Sequence, residues 1–514
     1  MLGYKPGHED VLLSTKLLTV GRELSRLLNL SFIRVQDPSP IARLSAEILG
    51  EIFMWSLSTN GFRSLYERGC LQLEPLTLSH VNSRWRAVAL STPSMWATIW
   101  VDRPRAAHLP MVEMWIERSW QCPLIIYLRQ SPPLSPGSQL PSFADPSEFD
   151  LTDEILLLLG NELHRWKRVT FLFHKQTQHP LLSLSGTPTA APLLEHVHMS
   201  VKTWDVASSL AAERIMYSYA SVQSVVVHEA MSQGFVRWGH LTVLDAAMLA
   251  FPRDNCLDIL GHCPSLRRAE LRCAQDQGAA PLVIPRHRVV LPHLTSLTLY
   301  ADRVALAPLM CGILLPKLEG LVLRYAHPPR RLRDPHALGH LLATSACVLQ
   351  RFSLKDSPTP PDDAHHLAFL ALPQMAALTE LYLQLDLTDR LVQFLTLGAD
   401  PDDGRARILP RLHTLSLKAA DGPHVDELEL YRMVVSRLPV SRPENNGGYS
   451  GALRRAYFHL SVKGHSASPV LPLLVERCRE RIELRFYLAE CDDMEHRPGW
   501  YTSPPIPGGY LTDV

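Results

Sequence analysis

The sequence of 514 residues lacks an excess of charge of either sign. Its 51 lysine and arginine residues equal its 51 aspartate and glutamate residues, so the formal net charge is zero. Proteins that bind nucleic acid or a membrane surface over most of their area carry a strong positive excess. We therefore expect no nucleic-acid partner and no membrane association, although a local charged patch is compatible with this balance.

The chain also lacks long apolar runs and paired cysteines. Its longest purely apolar runs are short, such as Ile155 to Leu159, whereas a membrane span needs roughly 20 residues. The N-terminal residues contain no basic segment followed by an apolar core, so we predict no secretory signal. The nine cysteines include no C-x-x-C pair, which is typical of reduced, mostly buried thiols in a cytoplasmic or nuclear protein.

Known catalytic motifs are missing too. The sequence contains no G-x-G-x-x-G, no G-x-x-x-x-G-K-[ST], no H-E-x-x-H and no G-x-S-x-G. His196 and His198 share one face of a predicted strand but have no third ligand in view, and Asp363 with its neighbours resembles a helix start after two prolines. We expect no enzymatic activity, no cofactor and no metal site. An enzyme with an unfamiliar site is the third-ranked alternative.

A motif of the form apolar-x-x-apolar-x-apolar recurs after residue 150. It reads LPHLTSLTL, KLEGLVL, ALTELYL and RLHTLSL in four of its copies, and successive copies begin 19 to 41 residues apart, mostly 24 to 31. This pattern and spacing are typical of leucine-rich repeats. The copies begin at Trp166, Leu194, Val222, Leu241, Leu266, Leu294, Leu318, Leu349, Leu378, Leu412 and Leu453.

Each such unit supplies one short strand that cannot bury its apolar side chains alone, so the units stack into one parallel sheet. Asp389–Leu397 and Glu427–Leu438 have the spacing of helices between strands. We predict an α/β fold, an irregular leucine-rich-repeat-like solenoid over residues 151–490 with parallel strands on the concave face and helices or loops outside. The alternative is an ordinary α/β domain with scattered strands. Several predicted strands follow a proline, which ends the helix before it: Pro264, Pro292, Pro316 and Pro410.

The other boundaries follow from composition and spacing. Residues 1–40 carry leucine and valine at helical spacing, which predicts an amphipathic helix that packs on the next domain or contacts a partner. Residues 41–102 form a helical block. Residues 103–150 contain a connecting helix, a strand and a linker rich in proline and serine, and residues 491–514 form a C-terminal tail.

The helical block contains two apolar faces. Its first helix places Leu44, Ile48, Leu49, Ile52 and Phe53 on one side. A second helix is predicted to place Leu78, Val81, Trp85, Val88 and Ala89 on one side, and it ends at Thr92-Pro93. Two short helices of this kind bury too little surface to be stable alone, so they pack on the rest of the chain or form half of an interface.

The segments IARLSAEILGEIFMWSL and PLTLSHVNSRWRAVALSTPSMWATIWVD resemble the F-box, in particular that of fungal proteins. The resemblance covers about 60 residues and implies that the N-terminal helical block binds a Skp-family adaptor and, through it, a cullin scaffold. The chain departs from the family at Ser45, where proline is usual, and in a longer stretch from Ser58 to Glu74. The positions that the resemblance assigns to adaptor binding are Leu44, Ile48, Leu49, Ile52, Phe53, Leu76, Val81 and Trp85.

The combined pattern predicts the substrate-recognition subunit of a Skp–cullin–F-box ubiquitin ligase, whose solenoid holds an unknown target protein. The alternative is a protein-interaction scaffold outside a ligase, with a degenerate F-box.

Side chains alternate along a strand, so the residue after each third apolar position should face solvent. That column reads Arg272, Tyr300, Arg324, Lys355, Gln384, Lys418 and His459, and the adjacent column includes Tyr382. We expect Arg272, Tyr300, Arg324, Lys355, Tyr382 and Lys418 to bind an acidic or phosphorylated substrate segment.

Overall fold

The computed structural model describes residues 40–59, 74–130, 147–174, 181, 184, 190–201, 204–227, 238–274, 288–302, 306–326, 334–356, 363–385, 387–397, 408–419, 425–438, 453–462, 470–478 and 481–490. The predicted N-terminal helix, most of the proline- and serine-rich linker and the C-terminal tail lie outside them. The chain divides into two compact units, the first made of Met1–Trp100 with Glu113–Cys122 and the second of Val101–Val112 with Pro123–Val514.

The first unit is helical. Its core contains Leu49 and Phe53 from the first helix, Val88 and Ala89 from the third, and Trp96, all of which are buried. The Trp96 ring also meets a second tryptophan of this unit edge to face. Its elements are a 3₁₀ turn at Pro40–Arg43, α1 (Ala46–Thr59), α2 (Glu74–Ser79), α3 (Ser83–Leu90), a 3₁₀ turn at Pro93–Trp96 and the larger part of α4 (His108–Ser119).

The second predicted helix of this block is in fact two helices, so its prediction as one continuous apolar face was wrong. The chain leaves the helical conformation after Ser79, and the Asn82 side chain accepts a hydrogen bond from the Trp85 backbone N–H at 2.8 Å. Asparagine is among the strongest N-cap residues because its side chain replaces a missing backbone acceptor. As a result Val81 lies in the break between α2 and α3 and is 55% exposed.

The described residues contain one parallel sheet of 14 strands, 13 of which lie wholly in the second unit, so the chain is of the mixed α/β class, as predicted. Strand order in the sheet follows strand order along the chain throughout. The 14 strands are β1 (Thr98–Asp102), β2 (Leu124–Arg129), β3 (Trp166–Leu172), β4 (His196–Ser200), β5 (Ser224–Val227), β6 (Val243–Phe251), β7 (Arg268–Cys273), β9 (Ser296–Asp302), β11 (Gly320–Ala326), β12 (Arg351–Lys355), β13 (Glu380–Leu385), β14 (Thr414–Ala419), β15 (Arg455–Val462) and β16 (Glu483–Glu490). Two further short strands, β8 (Val289–Val290) and β10 (Ile313–Leu314), pair separately with each other.

Helices lie between most of these strands along the chain. Two of them occupy the predicted segments, at Asp389–Leu395 and Glu427–Ser436. Phe352 of β12 contacts Phe369 of the following helix, which shows that apolar strand residues pack against the helices. The helices are α5 (Ser147–Gly160), α6 (Val206–Tyr217), α7 (Arg253–Gly261), α8 (Ala307–Cys311), α9 (Asp334–Ser345), α10 (Asp363–Leu370), α11 (Asp389–Leu395), α12 (Glu427–Ser436) and α13 (Val470–Cys478), with 3₁₀ turns at Leu163–Arg165, Trp238–His240 and Pro373–Ala377.

The predicted repeat positions coincide with the strands. Trp166 opens β3, and each later repeat begins two residues before a strand, as Leu294 does before β9 and Leu412 before β14. All eleven first positions are buried. The apolar spacing therefore identified eleven of the fourteen strands, and the sheet extends beyond them at β1, β2 and β16.

A hydrogen-bond arrangement that recurs at the start of the strands holds neighbouring strands of the sheet in register. The carbonyl of Arg267 accepts the backbone N–H groups of both Thr295 and Ser296, and the carbonyl of Thr295 accepts those of both Glu319 and Gly320. The Thr295 hydroxyl also donates to the Arg267 carbonyl at 3.1 Å. Because the arrangement recurs from strand to strand, side chains at equivalent positions line up in rows across the sheet.

Candidate binding surfaces

The first candidate surface lies on the helical unit, where the eight predicted adaptor-binding residues fall into three groups by exposure. Leu49 and Phe53 are buried, with 0% and 1% exposure. The Phe53 ring packs against the Trp85 ring at a centroid distance of 4.8 Å, which joins α1 to α3. These side chains hold the unit together. Leu44, Leu76 and Trp85 are half-buried.

The remaining predicted residues are exposed. On α1, Ile48 is 51% exposed and Ile52 is 42% exposed, one helical turn apart, and Val81 adds a third apolar side chain. Trp55, which the sequence analysis did not select, is 69% exposed and follows Ile52 by three residues. Ile48, Ile52 and Trp55 therefore form a stripe at i, i+4 and i+7, which we name the α1 stripe. The helix is apolar both toward the core and away from it, and such exposed stripes mark interaction sites.

Ser45 precedes α1 and contributes to the start of this helix. The Ser45 hydroxyl oxygen accepts the Ile48 backbone N–H at 3.4 Å. A hydrogen bond from Ser45 also lowers the pKa of the exposed Glu47 carboxyl. Serine at an N-cap and proline at the first helical position both favour a helix start, by different means.

An arginine of α3 fixes the segment that leads into α1. The Arg84 guanidinium donates to the Ala42 carbonyl at 2.7 Å and also to the Leu44 carbonyl. These hydrogen bonds join residues 40 or more positions apart in sequence. An exposed arginine has no pattern that predicts such a partner, so sequence analysis did not identify it.

The second candidate surface is a row of side chains across the sheet, which we name the basic row. The strand register places Arg272 beside Tyr300, Tyr300 beside Arg324 and Arg324 beside Lys355. It continues through Gln384 and Lys418 to His459. The residues predicted from the sequence to share one column thus do so, and all are half-buried.

The Arg272 end of the basic row is held by a ring between two cations. The Arg272 guanidinium lies 5.5 Å and the Arg324 guanidinium 5.1 Å from the centroid of the Tyr300 ring. Cations over the face of an aromatic ring are attracted by its negative quadrupole, an interaction worth about 0.5–2 kcal/mol. The two arginines are therefore fixed in position.

Acidic side chains lie next to this end of the row. Asp245 and Glu270 are register partners on β6 and β7, and burial raises the pKa of both carboxyls. The Asp245 charge raises the pKa of Glu270 further, while the Arg324 charge lowers it. Asp245 was not identified from the sequence, because the columns read there begin at Arg272 and Glu270, one strand after Asp245.

The other end of the row carries a concentration of positive charge. Burial, and then the charges of Arg324 and Lys418, lower the pKa of Lys355. Arg324 and Lys418 therefore each repel the charge of Lys355. An anion bound here would relieve this repulsion.

Tyr382, predicted to bind substrate, is occupied by an acid of its own strand. Its hydroxyl donates to the Glu380 carboxylate at 3.1 Å. Burial, together with the negative charge of Glu380, raises the pKa of Tyr382. The Tyr382 hydroxyl therefore already has an acceptor on its own strand.

His196, one of the two histidines considered as metal ligands, pairs with a serine. A hydrogen bond of 2.7 Å joins His196 Nδ1 and Ser224 Oγ, and burial with the nearby Arg168 charge lowers the pKa of His196 to about 4. In the part of the chain that the structure describes, no group of three or more His, Cys, Asp or Glu side chains is placed to hold a metal ion. Within the same residues, none of the helices combines the length and apolar character needed to cross a membrane.

The sequence did not predict the buried polar side chains that connect neighbouring segments of the sheet unit. Asp334 accepts the backbone N–H groups of Leu306 and Ala307 and the Tyr325 hydroxyl, at 2.8–3.2 Å. Asp356 pairs with His366 at 2.9 Å inside the unit. Such groups are stable when buried only because each is hydrogen-bonded.

Comparison with protein-family models and with curated proteins finds no match to this chain.

Proposed function

We propose that the chain is the substrate-recognition subunit of a Skp–cullin–F-box ubiquitin ligase. The helical unit acts as the F-box, and the sheet unit acts as a leucine-rich-repeat-like solenoid that holds the target protein. The observation that carries the proposal is the α1 stripe, because exposed apolar side chains lie on a helix whose other face is already packed. Two of its three members, Ile48 and Ile52, are positions at which the F-box resemblance places the adaptor.

The sheet unit supports the second half of the proposal. Strand order follows chain order and the register aligns equivalent side chains, which is the arrangement expected of stacked repeats. On this unit the basic row offers Arg324, Lys355 and Lys418 to an acidic or phosphorylated target segment. Hydrogen bonds between charged groups would hold that segment.

The proposed mechanism requires no catalytic group in this chain. Adaptor binding would tether the target to the ligase, so that target lysines meet a charged ubiquitin-conjugating enzyme at high effective concentration. The specificity of the reaction then depends on which segments the sheet unit binds.

The test is co-expression with the host's Skp-family adaptor followed by pull-down. The variant I48D/I52D changes two exposed side chains and leaves the packed Phe53–Trp85 pair intact. Burial of each isoleucine contributes about 1.5–3 kcal/mol, so the double variant should weaken the complex by at least about 100-fold. The matched control is Leu157→Asp, which places the same charge at an exposed apolar position of α5.

The control variant should bind the adaptor like the wild type. Failure of the wild type to bind the adaptor would reject the ligase assignment. Adaptor binding without recruitment of a cullin would favour the alternative, a protein-interaction scaffold outside a ligase.

A further inference from the structure

A cleft of about 980 Å³ runs along the edge of the sheet where strands β3 to β11 begin. We name it the edge cleft. With both of its histidines counted as neutral, its lining has a net formal charge of +4, in a chain whose total is zero. Its charged side chains are Lys167, Arg168, Arg267, Arg268 and Lys317, with Glu195 as the acid.

The basic residues fall into three groups along the edge. Lys167 and Arg168 lie at the start of β3, Arg267 and Arg268 at the start of β7, and Lys317 just before β11. Neighbouring strands are about 4.8 Å apart, so the first two groups are about 19 Å apart and the second and third about 10 Å. A compact anion such as one phosphate can contact a single group, whereas a ligand that meets all three must be elongated.

Salt bridges lie along this edge both inside and outside the edge cleft. Outside it, Arg351 of β12 lies 4.0 Å from Glu319, and Arg455 of β15 lies 3.8 Å from Glu483. Inside it, Lys167 lies 3.9 Å from Glu195. The net charge of +4 already counts Glu195, so the lining stays positive after this pair is taken into account.

The lining favours a protein segment over single-stranded nucleic acid. Sites for single-stranded nucleic acid usually stack the bases on aromatic side chains, and the residues that line the edge cleft include no Phe, Tyr or Trp. Gln223, Thr242 and Thr295 line it instead, with amide and hydroxyl groups that can hydrogen-bond a peptide backbone.

We propose that the edge cleft binds an extended, acidic protein segment. Six strand spacings from β3 to β11 amount to about 29 Å, which an extended peptide covers with about nine residues. The site is separate from the basic row, because Glu270 lies between Arg268 and Arg272 on the same face of β7. It does not depend on adaptor binding.

The test measures the binding of fluorescein-labelled decaglutamate to the purified full-length chain by fluorescence anisotropy, at low and physiological salt. The cleft variant R267Q/K317Q neutralises two exposed side chains. The matched control R411Q/R454Q removes two exposed charges near the same edge at β14 and β15. Unchanged thermal melts of both variants establish that they are folded.

The cleft variant should bind decaglutamate roughly 2- to 30-fold more weakly, because each exposed ion pair contributes about 0.2–1 kcal/mol. The control should change affinity less than about twofold, and triglutamate should bind the wild type more weakly than decaglutamate, because it reaches one basic group. Equal losses in the two variants, or no binding by the wild type, would overturn the proposal.

Two further outcomes also decide against the edge cleft as a peptide site. If a decathymidine oligonucleotide binds more tightly than decaglutamate and is lost in the cleft variant, the ligand class is nucleic acid. If decaglutamate binding survives in the cleft variant but is lost in R324Q/K355Q, the acidic segment binds the basic row. That result would overturn this inference while leaving the proposed function intact.

Discussion

The buried side chain of Arg437 offers a quantitative test of how neighbouring helices and strands of the sheet unit are joined. It follows α12, is 1% exposed and donates to three backbone carbonyls: Leu395 at 2.7 Å, Leu409 at 3.2 Å and Ile408 at 3.0 Å. Leu395 ends α11, and the other two carbonyls precede β14. Burial lowers the pKa of Arg437 to about 10, so the side chain remains charged at neutral pH.

The substitution Arg437→Met keeps an unbranched side chain of similar length but removes every donor. Each carbonyl left without a partner costs about 1–3 kcal/mol, and part of this is offset because a buried charge no longer has to be desolvated. We expect a local loss of about 3–5 kcal/mol. Because each strand contacts mainly its neighbours, this loss should fall on α11, β14 and α12.

Amide hydrogen exchange measures this directly. A loss of about 3–5 kcal/mol should accelerate exchange of the β14 amides by roughly two to three orders of magnitude or more, provided that local opening controls exchange. Amides of β7 and β9 should be unchanged. Arg437→Lys, which keeps the charge but not the planar fork, should give an intermediate loss. Unchanged protection of β14 in Arg437→Met, or equal acceleration in β7, would refute the reasoning.

Three further substitutions test other contacts. Asp334→Ala leaves two backbone N–H groups and the Tyr325 hydroxyl without their acceptor and should cost about 2–4 kcal/mol in urea unfolding; a loss below 1 kcal/mol would contradict this. The pKa of His196 is lowered from 6.5 to about 4, so the unfolded state binds its proton first and stability falls, by up to about 3 kcal/mol, as pH drops from 6.5 through 4. His196→Gln should flatten that part of the urea-midpoint profile, and an unchanged profile would exclude this histidine as its cause. Ser45→Ala should destabilise α1 by about 0.5–1 kcal/mol, measured as a lower helical melting temperature, whereas Ser45→Asp should not.

The strands of the sheet were predictable because burial dictates their apolar spacing. Leu294, Leu297 and Leu299 are all buried, and a polar residue at any of them would leave an unsatisfied group in the core. The same alternation put Tyr300 on the opposite side, so the basic row followed from the pattern. Packing constrains the buried positions directly. It constrains the solvent-facing positions indirectly, because they alternate with the buried ones along each strand.

The features that were missed depend on contacts between residues distant in sequence or on local exceptions. The break at Asn82 arises from a side-chain cap that competes with a continuous apolar periodicity. Arg437 is buried only because three carbonyls of other segments converge on it. Arginine is usually exposed, so no periodicity in the sequence could identify it as a core residue.

Trp55 shows why a binding surface is harder to predict than a core. The prediction of one apolar face for α1 placed Ile48 and Ile52 on the same face as Leu49 and Phe53 and left Trp55 out. The structure divides them, with Leu49 and Phe53 inside and Ile48 and Ile52 outside. A helix that is apolar on both faces must be covered on both, since exposed stripes of large side chains promote association. Because of this division, Ile48 and Ile52, rather than Leu49 and Phe53, are the positions at which the proposed adaptor binding should be tested.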